Sequence, residues 1–166
     1  MEKYPKPVSK QCSKVILDQM DNSICKINEK TIGFFCKIKY NNKKIPILVT
    51  NYQAIIKLNI EDNKNIEVII NEENIALELG EISYLSREYN VVFLELKEKN
   101  INHIKFLDID ENLFKEVSEM VNDNISIYII HYGKDKKDKN IYSSYGIINS
   151  INKSKIICSC NIDPNS

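Results

Sequence analysis

The stretch ILVTNYQAI poses the first chemical question in this sequence. Its apolar run ends at Thr50 and Asn51, and one polar side chain, Gln53, follows two residues further on. The pattern predicts a buried strand that delivers a glutamine just beyond its end. An amide donates and accepts hydrogen bonds but does not titrate in the useful range, so Gln53 cannot act as a general base. The plainer alternative is an ordinary glutamine at the edge of a loop.

Cysteine and histidine are the other reactive residue types. Cys158 and Cys160 form a C-x-C pair that can ligate metal, but no second Cys or His pair stands at a matching spacing. Two strand cysteines two residues apart face the same side, which indicates a buried or redox-sensitive pair, so we expect no metal and no cofactor. We interpret His131 as a packed or surface histidine and His103 as a solvent-facing residue of a linker.

The amino-acid composition argues against several classes of function. Apolar residues make up 43% and charged residues 28%, which is typical of a globular protein. Lys plus Arg equals Asp plus Glu at 23 each, and only one of the basic residues is arginine, so nucleic-acid binding is not expected. The N-terminus has no apolar core, and no run reaches the roughly 18 apolar residues of a membrane span. With an odd number of cysteines, 5, we expect reduced thiols and a cytoplasmic protein without membrane contact.

The elements that position these residues are mostly strands. A short amphipathic helix is predicted over residues 9–20, with Ser9 as its cap. The hydrophobic period then changes to two, and Asn, Asp, Lys and Gly clusters separate the apolar runs, which favours an antiparallel barrel or sandwich. The runs are TIGFFCKIKY, IPILVTN, KLNI, IEVIIN, IALELGEISYLS and YNVVFLELK.

A second group of strands follows a predicted connecting helix, DENLFKEVSEMVND. The strands are SIYIIHYG, IYSSYGIINSI and KIICSC, with a solvated turn at the charged run GKDKKDKN. We therefore divide the chain into an N-terminal helical segment at 1–21, a first barrel lobe at 22–97, a linker at 98–124 and a partial second lobe at 125–166. Three strands are too few to close a barrel, so the second lobe has an open edge.

Four stretches together resemble the trypsin/chymotrypsin-like serine peptidases: GFFCKI…PILVTNYQAI, EYNVVFLEL, YIIHYG…SSYGIINSI and CSCNIDPNS. Gly33 matches the opening strand of the family's first hairpin, and VTN matches the strand end that precedes the catalytic histidine. Gln53 occupies the place of that histidine, and Asn90 occupies the place of the catalytic aspartate. The resemblance implies an all-β, chymotrypsin-like fold of two antiparallel barrels with the second incomplete, plus short N-terminal and linker helices.

The third signature of that family, Gly-x-Ser-Gly, has no good match. CSCNIDPNS approaches the same point, where either Ser166 stands at the nucleophile or the nucleophile would be the next residue. The first alignment puts Pro164, which has no N–H, at the glycine of the oxyanion hole, and the second puts Asn165 there. Neither alignment gives a competent oxyanion hole.

The residues at the histidine and aspartate positions determine whether the proton transfer of the family is possible here. Imidazole can take and return a proton near neutral pH, whereas the Gln53 amide cannot. Asparagine in place of the acidic member costs about 10⁴ in kcat in the chymotrypsin-type triad. Gln53 and Asn90 can still hydrogen-bond to each other as two neutral amides, without an unpaired buried charge.

Three functions fit the sequence. The leading hypothesis is a peptidase homologue without proteolytic activity that binds an extended peptide or protein in the former substrate cleft. The second is an active serine endopeptidase whose nucleophile segment lies beyond residue 166. The third is a structural interaction domain in which the cleft has no role.

Overall fold

Strands make up most of the structure, which is a computed structural model. It describes residues 4–27, 31–56, 64–99, 101–110, 125–133, 140–152 and 155–160. Two compact units divide the chain: a barrel unit, Leu17–Ile109, and a sheet unit, Met1–Ile16 with Asp110–Ser166. The mostly β class expected from the sequence is confirmed. Within the described ranges, no helix is both long enough and apolar enough to cross a membrane.

Helix α1 spans Lys10–Asn22 and begins where the sequence predicts. The Ser9 hydroxyl oxygen accepts a hydrogen bond from the Cys12 N–H at 3.1 Å, and the Ser9 carbonyl accepts from the Ser13 N–H at 2.9 Å. The first bond satisfies one of the N–H groups that a helix start leaves without a partner. Ser9 is therefore the N-cap, as predicted.

Six strands form a closed barrel. They are β1 (Ile24–Ile27), β2 (Thr31–Tyr40), β3 (Lys43–Thr50), β4 (Asn65–Ile70), β5 (Glu73–Ser86) and β6 (Val91–Leu96). Their order is β1-β2-β3-β6-β5-β4, and all pairs are antiparallel. The barrel closes where Lys26 of β1 pairs with Ile69 of β4. Two three-stranded meanders are thus joined along both edges, which removes the edges that an open sheet would expose.

The barrel interior follows from the two-residue period of the strands. Along β4 and β6 every second residue is buried: Ile66, Val68, Ile70, Val92, Leu94 and Leu96. Phe35 and Leu48 are fully buried in the same cluster. Burial of an aliphatic or aromatic side chain of this size stabilises a fold by about 1.5–3 kcal/mol, so the alternation accounts for much of the barrel's stability.

Two hairpins of the barrel turn through left-handed residues. Asn41 and Asn42 join β2 to β3 with φ values of 47° and 63°, and Asn71 and Glu72 join β4 to β5 with φ values of 46° and 68°. Two successive residues with positive φ form a type I′ turn, whose twist matches that of the flanking strands. Asparagine adopts this conformation more readily than most residues other than glycine, and it occupies three of the four positions. The turn predicted at NNKK is confirmed.

The chain after β6 packs against the barrel and contributes to its buried core. The Leu107 N–H donates to the Phe35 carbonyl at 2.8 Å, and the Lys105 N–H donates to the Asn22 carbonyl at 2.9 Å. Phe106 meets Phe35 edge to face, with ring centroids 6.3 Å apart. The predicted linker therefore belongs to the barrel unit as far as Ile109.

The sheet unit contains three antiparallel strands in the order β7 (Ser126–Tyr132), β8 (Ile141–Asn152) and β9 (Lys155–Cys160). All three were predicted from the sequence. A Cβ atom at Gly146 of β8 would overlap the Ser159 carbonyl and the Cys160 thiol, so only glycine permits this approach of β9.

Two elements were missed from the sequence. Strand β1 has four residues and directly follows a helix, so its short apolar alternation is hidden by the end of the helical pattern. Helix α2, Tyr52–Ile56, is only five residues long and too short to show a helical period. The run KLNI, the helix predicted in the linker, the tip of the charged turn and Ser166 lie outside the described residues.

The buried thiol of Cys25 makes barrel stability sensitive to alkali. Burial raises the pKa of Cys25 from 9.0 to about 12, although a hydrogen bond with the Gly33 backbone acts in the opposite direction. Below pH 9 the thiol is protonated in both the folded and unfolded chain, so stability is unaffected there. Above pH 9 only the unfolded chain ionises, so the free energy of unfolding falls by about 1.4 kcal/mol between pH 8 and pH 10.

Replacing Cys25 with alanine should remove this contribution to the loss of stability at alkaline pH. Urea unfolding at pH 8 and pH 10 should show a smaller fall in unfolding free energy for Cys25→Ala than for the parent chain. Cys12→Ala is the matched control, because Cys12 is only half-buried on α1, and it should keep the full fall. An identical fall in the parent and in Cys25→Ala would show that the thiol does not stay protonated in the barrel.

Candidate functional site

The pairing of β3 with β6 brings two distant segments to one end of the barrel. The ladder places Leu48 opposite Leu94 and Thr50 opposite Val92. It continues one step beyond the strands, because the Tyr52 N–H donates to the Asn90 carbonyl at 3.3 Å. The residue directly before Gln53 therefore lies against Asn90, although the two positions are far apart in the sequence.

Gln53 projects from the first turn of α2. The helix is anchored by Ile55, which is buried in the barrel core, and by Tyr52, which packs against the same cluster. These two contacts fix the short helix across the barrel end and leave the Gln53 side chain exposed. At the preceding strand end, the buried Thr50 hydroxyl donates to the Ile32 carbonyl at 3.0 Å, so the segment leading to Gln53 is held in place.

Asn90 is set by the turn between β5 and β6. Its N–H donates to the Arg87 carbonyl at 3.3 Å, and the Tyr89 N–H donates to the hydroxyl oxygen of the buried Ser86 at 3.2 Å. Asn90 has a φ of 50°, in the left-handed region where asparagine is enriched among non-glycine residues. The local backbone therefore gives a sufficient reason for asparagine here, and its side chain is exposed.

The two positions that the sequence resemblance matches to triad members lie on segments at the same barrel end, but their environment differs from that of a triad. In the chymotrypsin-type triad the acidic residue is buried and hydrogen-bonded to the histidine. Gln53 and Asn90 are both exposed, and both carry neutral amides. This arrangement can donate and accept hydrogen bonds with a ligand, but it cannot move a proton at neutral pH.

Arg87 and Tyr89 complete the candidate site and were missed from the sequence. Both side chains are exposed on the turn that contains Asn90, and Tyr89 is 66% exposed. Arg87 is the only arginine in the sequence, which is the one signal that could have drawn attention to it. We call Gln53, Arg87, Tyr89 and Asn90 the barrel-end site.

His131 is held within the sheet unit. Its Nε2 atom lies 2.9 Å from the Ser144 hydroxyl and its Nδ1 atom 3.3 Å from the Tyr132 carbonyl, while the Tyr142 ring stacks on it. A serine in contact with an imidazole is one part of a nucleophilic site. Ser144 lies inside β8, however, rather than in the tight turn that forms an oxyanion hole. Both ring nitrogens are satisfied, as expected for a packed histidine.

The remaining candidates lie elsewhere. His103 is exposed on the segment after β6, as the sequence indicates, and all five cysteines are free thiols. Among the described residues, no group of three or more His, Cys, Asp or Glu side chains is placed to hold a metal ion.

No protein-family model matches the chain, and no curated protein matches it significantly.

The backbone role of Asn90 can be separated from any role of its amide. Asn90→Ala should lower the free energy of unfolding by about 1 kcal/mol or more, because alanine disfavours the left-handed conformation. Asn90→Gly should be neutral or stabilising, because glycine adopts positive φ freely. Urea unfolding of both variants measures the difference. Asn65→Ala, on the exposed face of β4, is the control for loss of an asparagine without positive φ. Equal destabilisation by alanine and glycine would indicate that the side chain, rather than φ, is required.

Proposed function

We propose that this chain is a homologue of the trypsin-like serine peptidases that lacks proteolytic activity and binds an extended peptide or protein segment at the barrel-end site. A closed antiparallel barrel supports the proposal, because the resemblance predicts one for the first lobe. Gly33 lies in β2 and VTN at the end of β3, as the quoted motifs require. Asn90 stands directly before β6, where the family's aspartate precedes an apolar strand.

The hydrogen bond from Tyr52 to Asn90 is the observation that carries this proposal. The residue before Gln53 is hydrogen-bonded to Asn90, so the two positions matched to triad members by resemblance lie on neighbouring segments at one end of the barrel. Both residues have exchanged a titrating side chain for an amide, so the geometry favours retained recognition over retained catalysis.

The side chains of the barrel-end site suit a peptide. Exposed amides at Gln53 and Asn90 match the donors and acceptors of a peptide backbone, and Tyr89 offers a flat apolar surface with a polar end. Arg87 adds a planar cation that binds a carboxylate through two parallel hydrogen bonds. Tyrosine and arginine are also enriched among the residues that dominate binding energy at protein interfaces. The preferred ligand is therefore an extended segment with an acidic side chain or a terminal carboxylate.

Peptide binding provides the direct test. A library of extended peptides, with and without acidic residues, is screened by fluorescence anisotropy against the full chain. Tyr89→Ala and Arg87→Ala should each weaken binding of the selected peptides by about tenfold.

The matched control for this screen is Tyr40→Ala. Tyr40 is 48% exposed but lies at the β2–β3 turn, the end of β3 opposite to Thr50. Its replacement should leave binding unchanged. Failure of every peptide to bind, or equal weakening by Tyr40→Ala, would reject the barrel-end site as a peptide-binding surface.

Restoring the triad residues tests the loss of catalysis. Gln53→His with Asn90→Asp supplies a general base and the carboxylate that orients it, but we expect no measurable hydrolysis. A nucleophile in a tight turn and two N–H groups aimed at the oxyanion are still required, and one lost oxyanion donor costs about 10²–10³ in kcat. A fluorophosphonate probe and a panel of chromogenic peptides measure the outcome. Labelling at Ser166, or turnover that disappears in Ser166→Ala, would show that the nucleophile half of the site is intact.

A further inference from the structure

The C-x-C pair on β9 forms a second candidate site, independent of peptide binding. Cys158 and Cys160 project from the same side of the strand, so both thiols lie on one face of β9. Both thiols are free and half-buried, so they are reachable from solvent but partly shielded from it. We propose that these two thiols bind a soft, low-valent metal ion of the Cu(I) class in a two-coordinate site.

The neighbouring strand leaves room for these sulfurs. Gly146 pairs with Cys160 and Ile148 pairs with Cys158 across the β8–β9 ladder. Because Gly146 has no side chain, the Cys160 thiol occupies the space where a Cβ atom would lie. The two β8 residues that pair with the cysteines, Gly146 and Ile148, therefore carry no oxygen ligand in their side chains. Hard cations such as Ca²⁺ and Mg²⁺ require oxygen ligands, so this donor set selects against them.

Strand geometry favours a bridging ion over a disulfide. Residues two apart on a strand are separated by about 6.4–6.8 Å along its axis. A disulfide requires its two Cβ atoms to approach to about 3.5–4.5 Å, which would distort β9 and its pairing with β8. Two metal–sulfur bonds of about 2.3 Å, the length found for zinc thiolates, span up to about 4.6 Å in a linear arrangement. Side chains that lean towards each other reach this separation without a change in the backbone.

The chemistry of the donors identifies the class of ion. Thiolates are soft ligands and select Cu(I) among the common biological metals, whereas structural zinc takes four ligands. Two thiolates satisfy an ion that accepts linear coordination. Each thiol loses its proton to solvent on binding and both electrons of each metal–sulfur bond come from sulfur, so the metal keeps its oxidation state.

Copper titration of the reduced full-length chain tests this inference. Cu(I) is added without oxygen in the presence of a chromophoric Cu(I) chelator, and native mass spectrometry counts the bound ions. We expect one copper per chain and its loss in both Cys158→Ser and Cys160→Ser. Cys12→Ser is the matched control, since Cys12 is also a half-buried free thiol, and it should bind copper as the parent does.

Alkylation of the unaltered chain gives a second readout that does not depend on variants. Bound copper should protect Cys158 and Cys160 from iodoacetamide, whereas Cys12 should react equally with and without copper. No retained copper against the chelator, retention by either serine variant, or one copper shared by two chains would overturn the proposed site. Unaltered alkylation of the pair in the presence of copper would also overturn it.

Discussion

The antiparallel ladder between β3 and β6 is the constraint on which the barrel unit depends. It joins the first meander, β1-β2-β3, to the second, β4-β5-β6, while the short contact of β1 with β4 closes the other side. Without the ladder, β3 and β6 would be open edges and the apolar face of the sheet would be exposed to water. Its register also places Tyr52 opposite Asn90. One set of backbone hydrogen bonds therefore encloses the core and assembles the candidate site.

The backbone conformation at Asn90 is by itself a sufficient reason for asparagine at this position. Residues 86–90 form a tight turn in which the buried Ser86 hydroxyl and the Arg87 carbonyl accept consecutive N–H groups. The last residue of the turn needs positive φ, for which asparagine is well suited. Aspartate also visits this region more readily than most residues. Either asparagine or aspartate is therefore compatible with this turn, and the two differ in charge rather than in backbone conformation.

Period-two patterns in the sequence were sufficient to predict most strands, because alternate residues such as Val68 and Val92 must face the barrel interior. Strand β1 and helix α2 are too short for a period to be visible, and both are fixed by tertiary contacts: β1 pairs with β2 and β4, and Ile55 of α2 enters the core. Closure of the first sheet could not be derived from periodicity, since a sandwich has the same alternation.

The candidate site was predictable only in part, because the strand register brings its residues together from separate segments. Gln53 and Asn90 were selected by resemblance to a family, one position at a time. Arg87 and Tyr89 could be recognised only after the register had placed their turn beside α2, because nothing in their local sequence distinguishes them from other loop residues. The C-x-C pair, in contrast, was visible directly, because the positions i and i+2 of any strand share a face.

The core of the barrel and the barrel-end site are formed by separate sets of residues. The buried cluster of the barrel is formed by aliphatic, aromatic and cysteine side chains, and the four members of the barrel-end site are all exposed. Substitutions at exposed positions away from caps and strained turns usually change stability by less than about 0.5 kcal/mol. Gln53 is one of these exposed positions, and Asn90 adopts the positive φ that its turn requires. The exposed residues of the barrel-end site can therefore vary at little cost to the core, while the Tyr52–Asn90 hydrogen bond holds the two segments of the site together.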